Sequence, residues 1–334
     1  MPVVLITPEV MLHKDTTYVA MLSEAGFDVA YPHNPTFTRG LCSVKETIDE
    51  LSVCDGVIAG GEVFSRKVLA ALPKLRVIAR SGVGYDKVDV AAATEHKVVL
   101  TITPTANHES VAEHALMLLL AAAKRLTFND RKARAGEWPM QPSYPVRGTT
   151  IGILGLGRIG RSFAVRARTL GVQLIATETY PDEDFVPAHG IELVDFDTLL
   201  DRSDYLSIHC PLNDETRGKF DKAAFAKMKP NCILVNTARG GIVVESELIA
   251  ALESGRLRGA GLDCFEQEPP SPDNPLFQME HVVCTPHIAG SDDKSQDDMG
   301  IEAADCIIKL HSGEWPDAVV NRELQDGWKW DLML

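Results

Sequence analysis

The sequence predicts an α/β protein of two domains, each built on a parallel sheet flanked by helices. Three observations carry that expectation. Short apolar runs alternate with helical patterns through the first hundred residues, as repeated βα units do. The alternation resumes at Thr149, after a Pro- and Gly-rich excursion, RAGEWPMQPSYPVRG, at 134–148. The stretch IGILGLGRIG, 151–160, runs from an apolar strand into a glycine-punctuated turn, and it stands mid-chain rather than at the start. A length of 334 residues suits two cores of ordinary size.

Taken in order, VVLIT at 3–7 is a strand, and Thr17–Ala25 is a helix that Gly26 ends. FDVAYP gives a second strand, TIDELSV a helix, and DGVIAGG a third strand stopped by glycines. SRKVLAALP is a short helix closed by Pro73, LRVIARSGVG a strand and glycine loop, and KVVLTIT another strand. A long helix is expected from His108 to about Leu126, with Asn107 as its N-cap. Its apolar run at 115–123 is too short to span a bilayer and suits a buried helix. Beyond 149, TTIGIL, VQLIAT, YLSIHC, CILVNTA, GAGLDC and HVVCTPH supply six strands for a doubly wound sheet. An amphipathic helix at about 295–311 and an irregular tail follow.

The formal net charge of −14 is spread along the chain, which argues against nucleic acid or an anionic membrane surface as partner. A small anionic substrate, needing only a few placed cations, stays open. The seven cysteines include no CxxC and no metal-ligand spacing, so reduced thiols and no metal site are expected. MPVVLITPEV carries neither a basic n-region nor a long apolar segment, and a cytoplasmic protein is expected.

Gly155, Gly157 and Gly160 fit G-x-G-x-x-G between a strand and a helix. The first permits the tight turn, the second lets the backbone approach a pyrophosphate, and the third lets helix and strand pack closely. The helix start then offers amides and a positive dipole end to phosphates. Glu178 closes the next strand, where an acid can hold two ribose hydroxyls. From Thr169 to Asp201 there is no Lys or Arg, while Asp182, Glu183 and Asp184 follow closely. A 2′-phosphate would meet anions there, so NAD is expected over NADP. Three further segments end apolar strands with candidate chemistry: NTARGG with Arg239, LDCFEQEPP with Glu268, and TPHIAG with His287. Ligands in open α/β sheets bind at such carboxyl ends. Each residue also has a plain structural reading, as a surface Arg, a loop acid or a capped His.

Over residues 50 to 325 the chain resembles the D-isomer-specific 2-hydroxyacid dehydrogenases, particularly their phosphoglycerate dehydrogenase-like branch. RSGVGYDKVD, NHESVAEHALMLLL, GILGLGRIGR, HCPLNDETRG, NTARGGIVVE, GLDCFEQEPP and TPHIAGS carry the resemblance, in the family's order. It implies a Rossmann-type doubly wound domain inserted into a smaller flavodoxin-like substrate domain. The substrate domain would take 1–102 and 287–334, and the NAD-binding domain 103–286. The active site would be the cleft between them, and a homodimer would form through the NAD-binding domain.

By the same resemblance, Arg239 grips the substrate carboxylate and C2 oxygen, His287 exchanges a proton with that oxygen, and Glu268 orients the imidazole. Val83, Gly84 and Asn107 would bind the substrate carboxylate. Gly155, Gly157, Arg158, Ile159 and Gly160 would meet the pyrophosphate, and Glu178 the ribose. Thr237, Ala238, Asp263 and Gly290 would line the nicotinamide side. His209, Cys210 and Cys264 are read as structural, His108 and His114 as helix residues outside the chemistry, and Trp138 as either dimer contact or loop.

The match departs from the branch at AGGEVFS, where Gly60 and Gly61 stand in place of an Arg-containing segment that can bind a substrate phosphate. Arg66, Lys67 or Arg80 are the replacements to consider. Glu268 also separates the chain from the formate dehydrogenase branch, which has an amide there. With the chain ending at Leu334, feedback through a serine-binding domain is not expected. The expected substrate is 3-phosphoglycerate or phosphohydroxypyruvate, with hydroxypyruvate or glyoxylate reduction as the alternative. A different class is a dinucleotide-sensing binding protein similar to C-terminal binding protein corepressors.

Overall fold

The computed structural model describes residues 1–330. The chain divides into two compact units, one made of 1–107 with 291–334 and the other of 108–290. The divisions thus fall at 107/108 and 290/291, four to five residues beyond the expected 102/103 and 286/287. The last four residues of the expected C-terminal return, 331–334, lie outside the described residues.

The first unit holds β1 (Val3–Ile6), β2 (Asp28–Ala30), β3 (Gly56–Ala59), β4 (Val77–Arg80) and β5 (Val99–Thr101). All pair in parallel in the order β2-β1-β3-β4-β5, so the strand order reverses between β1 and β3. β3, β4 and β5 are buried throughout, as strands covered on both faces must be, which is why they read as apolar runs broken only at the last residue of β4, Arg80, and of β5, Thr101. The helix Asp293–Ser312 packs on the helix Thr17–Glu24. Gly300 makes that approach possible, since a Cβ there would fall 2.3 Å from the Tyr18 ring. Buried Asn321 fastens the C-terminal segment to β5: its Oδ1 accepts the Leu100 N–H at 2.9 Å, and its Nδ2 donates to the Val98 carbonyl at 2.9 Å.

The second unit holds β6 (Thr150–Leu154), β7 (Gln173–Thr177), β8 (Ile191–Leu193), β9 (Tyr205–Ile208), β10 (Cys232–Asn236), β11 (Leu257–Leu262) and β12 (Val282–Cys284). They form a parallel seven-stranded sheet, β12-β11-β10-β9-β6-β7-β8. The six expected strands are all present. The seventh, β8, is a three-residue edge strand with only Ile191 buried, too short for a period to show. The long helix runs His108–Lys124, and Arg125, in the left-handed region at φ 53°, breaks it from a second helix, Leu126–Arg134. Two clusters pack on opposite faces of the sheet. One gathers Leu118, Phe163, Ile153 and Val235, and the other Leu206, Leu234, Phe220 and Leu248.

Candidate active site

The reversal of strand order in the second sheet lies between β6 and β9, and the glycine turn sits on it. Gly155 has φ +97°, and a Cβ there would lie 2.8 Å from the Cys210 amide nitrogen, so only glycine fits beside the end of β9. A Cβ on Gly160 would lie 2.0 Å from the Gly155 carbonyl oxygen, which sets how closely the helix Arg158–Arg168 meets its strand. A Cβ on Gly157 would meet nothing within 4 Å. The space over that helix start is therefore open, as a pyrophosphate requires. Arg158 opens the helix exposed, and Ile159 is half-buried.

Glu178 reaches the same turn. Its Oε2 accepts the Leu156 N–H at 2.6 Å and its Oε1 the Tyr180 N–H at 3.0 Å. Ionised carboxylate oxygens retain lone pairs beyond one hydrogen bond each, so ribose hydroxyls can still be taken. A cation also stands here that linear reading of the strand loop does not reveal. Arg161, on the helix, donates Nε–H to the Leu156 carbonyl at 2.8 Å and pairs through Nη1 with Asp182 at 2.7 Å. His209, just past the end of β9, is half-buried under this turn. Burial pushes its imidazole down to about 3, and its Nε2 shares a hydrogen bond with the Ser207 hydroxyl at 2.9 Å. It is a neutral packing residue, as are Cys210, pushed up to about 11 by burial, and Cys264, raised by burial well above its ordinary range.

The loops after β10, β11 and β12 bring Arg239, Glu268 and His287 to one end of the sheet. The Glu268 Oε2 lies 2.8 Å from His287 Nδ1, and its Oε1 accepts the Phe265 N–H at 3.0 Å. An ionised carboxylate only accepts, so Nδ1 carries the proton and Nε2 is left for other chemistry. His287 is exposed and holds a left-handed backbone at φ 55°, which a non-glycine residue adopts only when its surroundings enforce it. Asp263 supplies that enforcement. Buried to 1% exposure, it accepts the Ile288 and Ala289 N–H groups at 2.9 Å each and the Thr285 hydroxyl at 2.6 Å. The Thr285 hydroxyl lies 2.9 Å from His114 Nε2. The carboxylate expected on the nicotinamide side is thus bonded to the loop that bears His287, and His114 joins it from the long helix.

Half-buried Arg239 donates Nη1–H to the Ala238 carbonyl at 2.7 Å. Its loop is shaped by a residue that sequence reading passed over. Buried Asn236 accepts the Ala238 N–H at 3.0 Å and donates to the Arg239 carbonyl at 2.9 Å, bridging the turn from both sides. The neighbouring Asn-Thr pair is the signal that could have marked it, since Asn side chains commonly close such turns on their own backbone. Thr237 is buried and Ala238 half-buried beside it, while Gly290 ends the unit after Ala289.

In the first unit, the loop after β4 carries Val83 and Gly84. Val83 is exposed, and the Gly84 carbonyl accepts Arg80 Nε–H at 3.1 Å. The Gly82 N–H donates to the Thr103 hydroxyl at 2.7 Å. Asn107 lies against this loop, with its Nδ2 3.7 Å from where a Gly82 Cβ would stand. The Asn107 Oδ1 is buried and accepts no hydrogen bond from the described residues. Of the cations considered for a phosphate, Arg66 pairs with Glu95 and Asp89, Lys67 is exposed on the same short helix, and Arg80 lies 4.0 Å from buried Glu62. A different cation comes to the glycine segment. Lys87 Nζ lies 3.7 Å from where a Gly61 Cβ would stand and 3.4 Å from that of Gly40. Among the described residues no carboxylate pairs with it.

Among the described residues no helix is long and apolar enough to cross a membrane, and no group of three or more His, Cys, Asp or Glu is placed to hold a metal ion. The family model for the D-isomer specific 2-hydroxyacid dehydrogenase NAD binding domain matches residues 116–289. The D-3-phosphoglycerate dehydrogenase of Mycobacterium leprae is 42% identical over 96% of this chain and 59% of its own length. The glyoxylate reductase of Korarchaeum cryptofilum is 39% identical over 84% of this chain and 87% of its own. The NAD-dependent formate dehydrogenase of Staphylococcus aureus, crystallised with NAD, superposes with a TM-score of 0.82 at 29% identity, covering 96% of this chain and 99% of that one. The chain spans little more than half of the phosphoglycerate dehydrogenases it matches, 59% and 52% of two of them. These matches, spanning the fold and the loops that carry Glu178, Arg239, Glu268 and His287, show that the chain belongs to the D-isomer-specific 2-hydroxyacid dehydrogenases, a family of NAD-dependent oxidoreductases.

Proposed function

We propose that this chain interconverts a small D-2-hydroxy acid and its 2-oxo acid with NAD(H), and that the acid is 3-phosphoglycerate or phosphohydroxypyruvate. The observation that carries the reading is the His287–Glu268 pair, 2.8 Å apart at the same sheet end as Arg239. NAD, bound over the glycine turn, supplies the hydride acceptor. The chain's own part is to hold the substrate and manage one proton. Arg239 offers a planar fork of donors that suits a carboxylate and the adjacent C2 oxygen. His287 Nε2 takes the hydroxyl proton as C2 loses hydride, and returns it in the reverse direction. Glu268 steadies the imidazolium formed at that moment. The backbone of Val83 and Gly84, with Asn107, offers further donors for a substrate carboxylate. The exposed side chains of Leu126, Trp138 and Met140 support a homodimer contact on the NAD-binding unit.

The phosphorylated substrate is supported by the phosphoglycerate dehydrogenase relatives and by Lys87, the cation at the glycine segment. Reduction of hydroxypyruvate or glyoxylate is the second reading, favoured by Gly60 and Gly61 and by the glyoxylate reductase relative. The test is NADH oxidation against phosphohydroxypyruvate, hydroxypyruvate, glyoxylate and pyruvate, by the wild type and Lys87→Gln. The first reading expects phosphohydroxypyruvate to lead by orders of magnitude in kcat/KM. Lys87→Gln should lower that value about tenfold or more, as loss of a charge-assisted hydrogen bond does. A lead by the unphosphorylated acids selects the second reading. NADH binding without turnover on any 2-oxo acid would replace both with a dinucleotide-sensing role.

A further inference from the structure

The chain carries a device around the ribose acid that no family resemblance assigned. The Leu156 backbone, in the middle of the glycine turn, is held at both its N–H and its carbonyl. Glu178 takes its N–H at 2.6 Å, and Arg161 Nε donates to its carbonyl at 2.8 Å. Arg161 in turn gives Nη1–H to Asp182 Oδ2 at 2.7 Å, and its guanidinium lies 5.5 Å from the Phe185 ring centre. Asp182 is fixed independently, because its Oδ1 accepts the Phe185 N–H at 2.9 Å and the Asp184 N–H at 3.1 Å. Arg161, a cation at the same turn as the ribose acid, is therefore present but engaged, with two of its three nitrogens bonded within the chain.

We propose that Asp182 and Arg161 form a cofactor-selecting lock, in which Asp182 holds Arg161 on the glycine turn and away from a dinucleotide 2′-phosphate. The inference rests on the reading of this turn as the NAD site and goes beyond it by naming the residues that reject the phosphorylated cofactor. A 2′-phosphate adds roughly −1.5 to −2 charges beside Glu178. With Asp182 ionised, that charge meets two carboxylates, and the Arg161 guanidinium is already paired. Without the Asp182 charge, Arg161 has a free fork in reach of the same position. Arg161 is a positioning residue for unphosphorylated NAD and becomes a phosphate ligand only when released.

The test is fluorescence titration of the purified full chain with NADH and NADPH, reading the ratio of the two Kd values. Asp182→Asn removes the charge but keeps an oxygen for the Phe185 and Asp184 amides, so the turn stays built. The expected result is a shift of the ratio toward NADPH by at least tenfold. Arg161→Gln in the same background should abolish the gain, while its amide still offers an N–H to the Leu156 carbonyl. Thermal melts accompany each variant. If Arg161→Gln melts well below wild type, the ratio in Asp182→Asn alone decides. An unchanged ratio in Asp182→Asn overturns the lock, and so does a gain that persists undiminished in a well-folded double variant. A wild type that binds neither dinucleotide would instead sink the dehydrogenase reading itself.

Discussion

Gly157 and Gly160 belong to one turn but face different physical demands, and replacing each by alanine should separate them. In Gly160→Ala the new methyl would lie 2.0 Å from the Gly155 carbonyl oxygen and 3.0 Å from its carbonyl carbon. An ordinary contact needs more than an ångström of extra room, and the opposing atoms are backbone at the centre of the sheet. Overpacking of that kind costs about 1–3 kcal/mol. In a unit of this size each kcal/mol is worth about 2–4 °C, so Tm should fall by roughly 2–12 °C. In Gly157→Ala the methyl meets nothing within 4 Å, at an extended backbone of φ −65° that any residue adopts. The small entropic gain of alanine roughly offsets its poorer N-cap character, and Tm should move by no more than about 2 °C. Cofactor affinity should invert that order of harm. The Gly157 methyl would occupy the space a pyrophosphate must enter, and losing one charge-assisted hydrogen bond of about 1.5–3 kcal/mol weakens NADH by about 10–100-fold. Differential scanning fluorimetry without cofactor, followed by NADH titration, reads both quantities. A Gly157→Ala protein that binds NADH like wild type would refute the placement of the pyrophosphate over this turn.

The remaining predictions concern His287, Glu268 and His209. His287→Ala should lower kcat by about 10²–10⁴-fold with the Kd for NADH held within about twofold, the signature of a lost proton carrier. Glu268→Gln should lower kcat about tenfold or more by the same assay, and retention of wild-type kcat in either variant would contradict the assigned roles. His209 binds a proton far more weakly folded, at about 3, than unfolded, at 6.5. Between those values the unfolded chain holds more protons, so stability is complete above about pH 6.5 and falls as pH drops toward 3. The slope is up to about 1.4 kcal/mol per pH unit. His209→Gln should therefore show a flatter Tm-against-pH curve between pH 6 and 4, and parallel curves would show that His209 carries no such penalty. The Lys87→Gln selectivity and the Asp182→Asn cofactor ratio complete the set.

The structure also changes what supports His287. Asp263 is bonded to the amides that follow His287 and to Thr285, with His114 behind it. Its carboxylate holds the residue in a left-handed conformation that the local sequence does not favour. The imidazole is thus set from two directions, by Glu268 at the ring and by Asp263 at the backbone. A side chain whose rotamer and backbone are both fixed can transfer a proton without first being ordered.

Strands and turns were legible because they obey short-range rules. Apolar runs stopped by glycine, a G-x-G-x-x-G between a strand and a helix, and an acid at the next strand end are patterns of spacing along one chain. They located β6, the glycine turn, Glu178 and the three strand ends that carry Arg239, Glu268 and His287. Tertiary packing decided the rest. β8 exists only as three residues hydrogen-bonded to the edge of β7, too short for any period to register. The segment from Thr169 to Asp201 contains no cation, yet Arg161 reaches Asp182 because a helix and a strand loop meet above the same turn. Lys87, rather than Arg66 or Arg80, approaches Gly61, because ion pairs with Glu95 and Glu62 take up the other two. Whether a charge is available or already engaged depends on which partners folding brings within about 4 Å of it, and that distance is a property of the packed chain rather than of residue order.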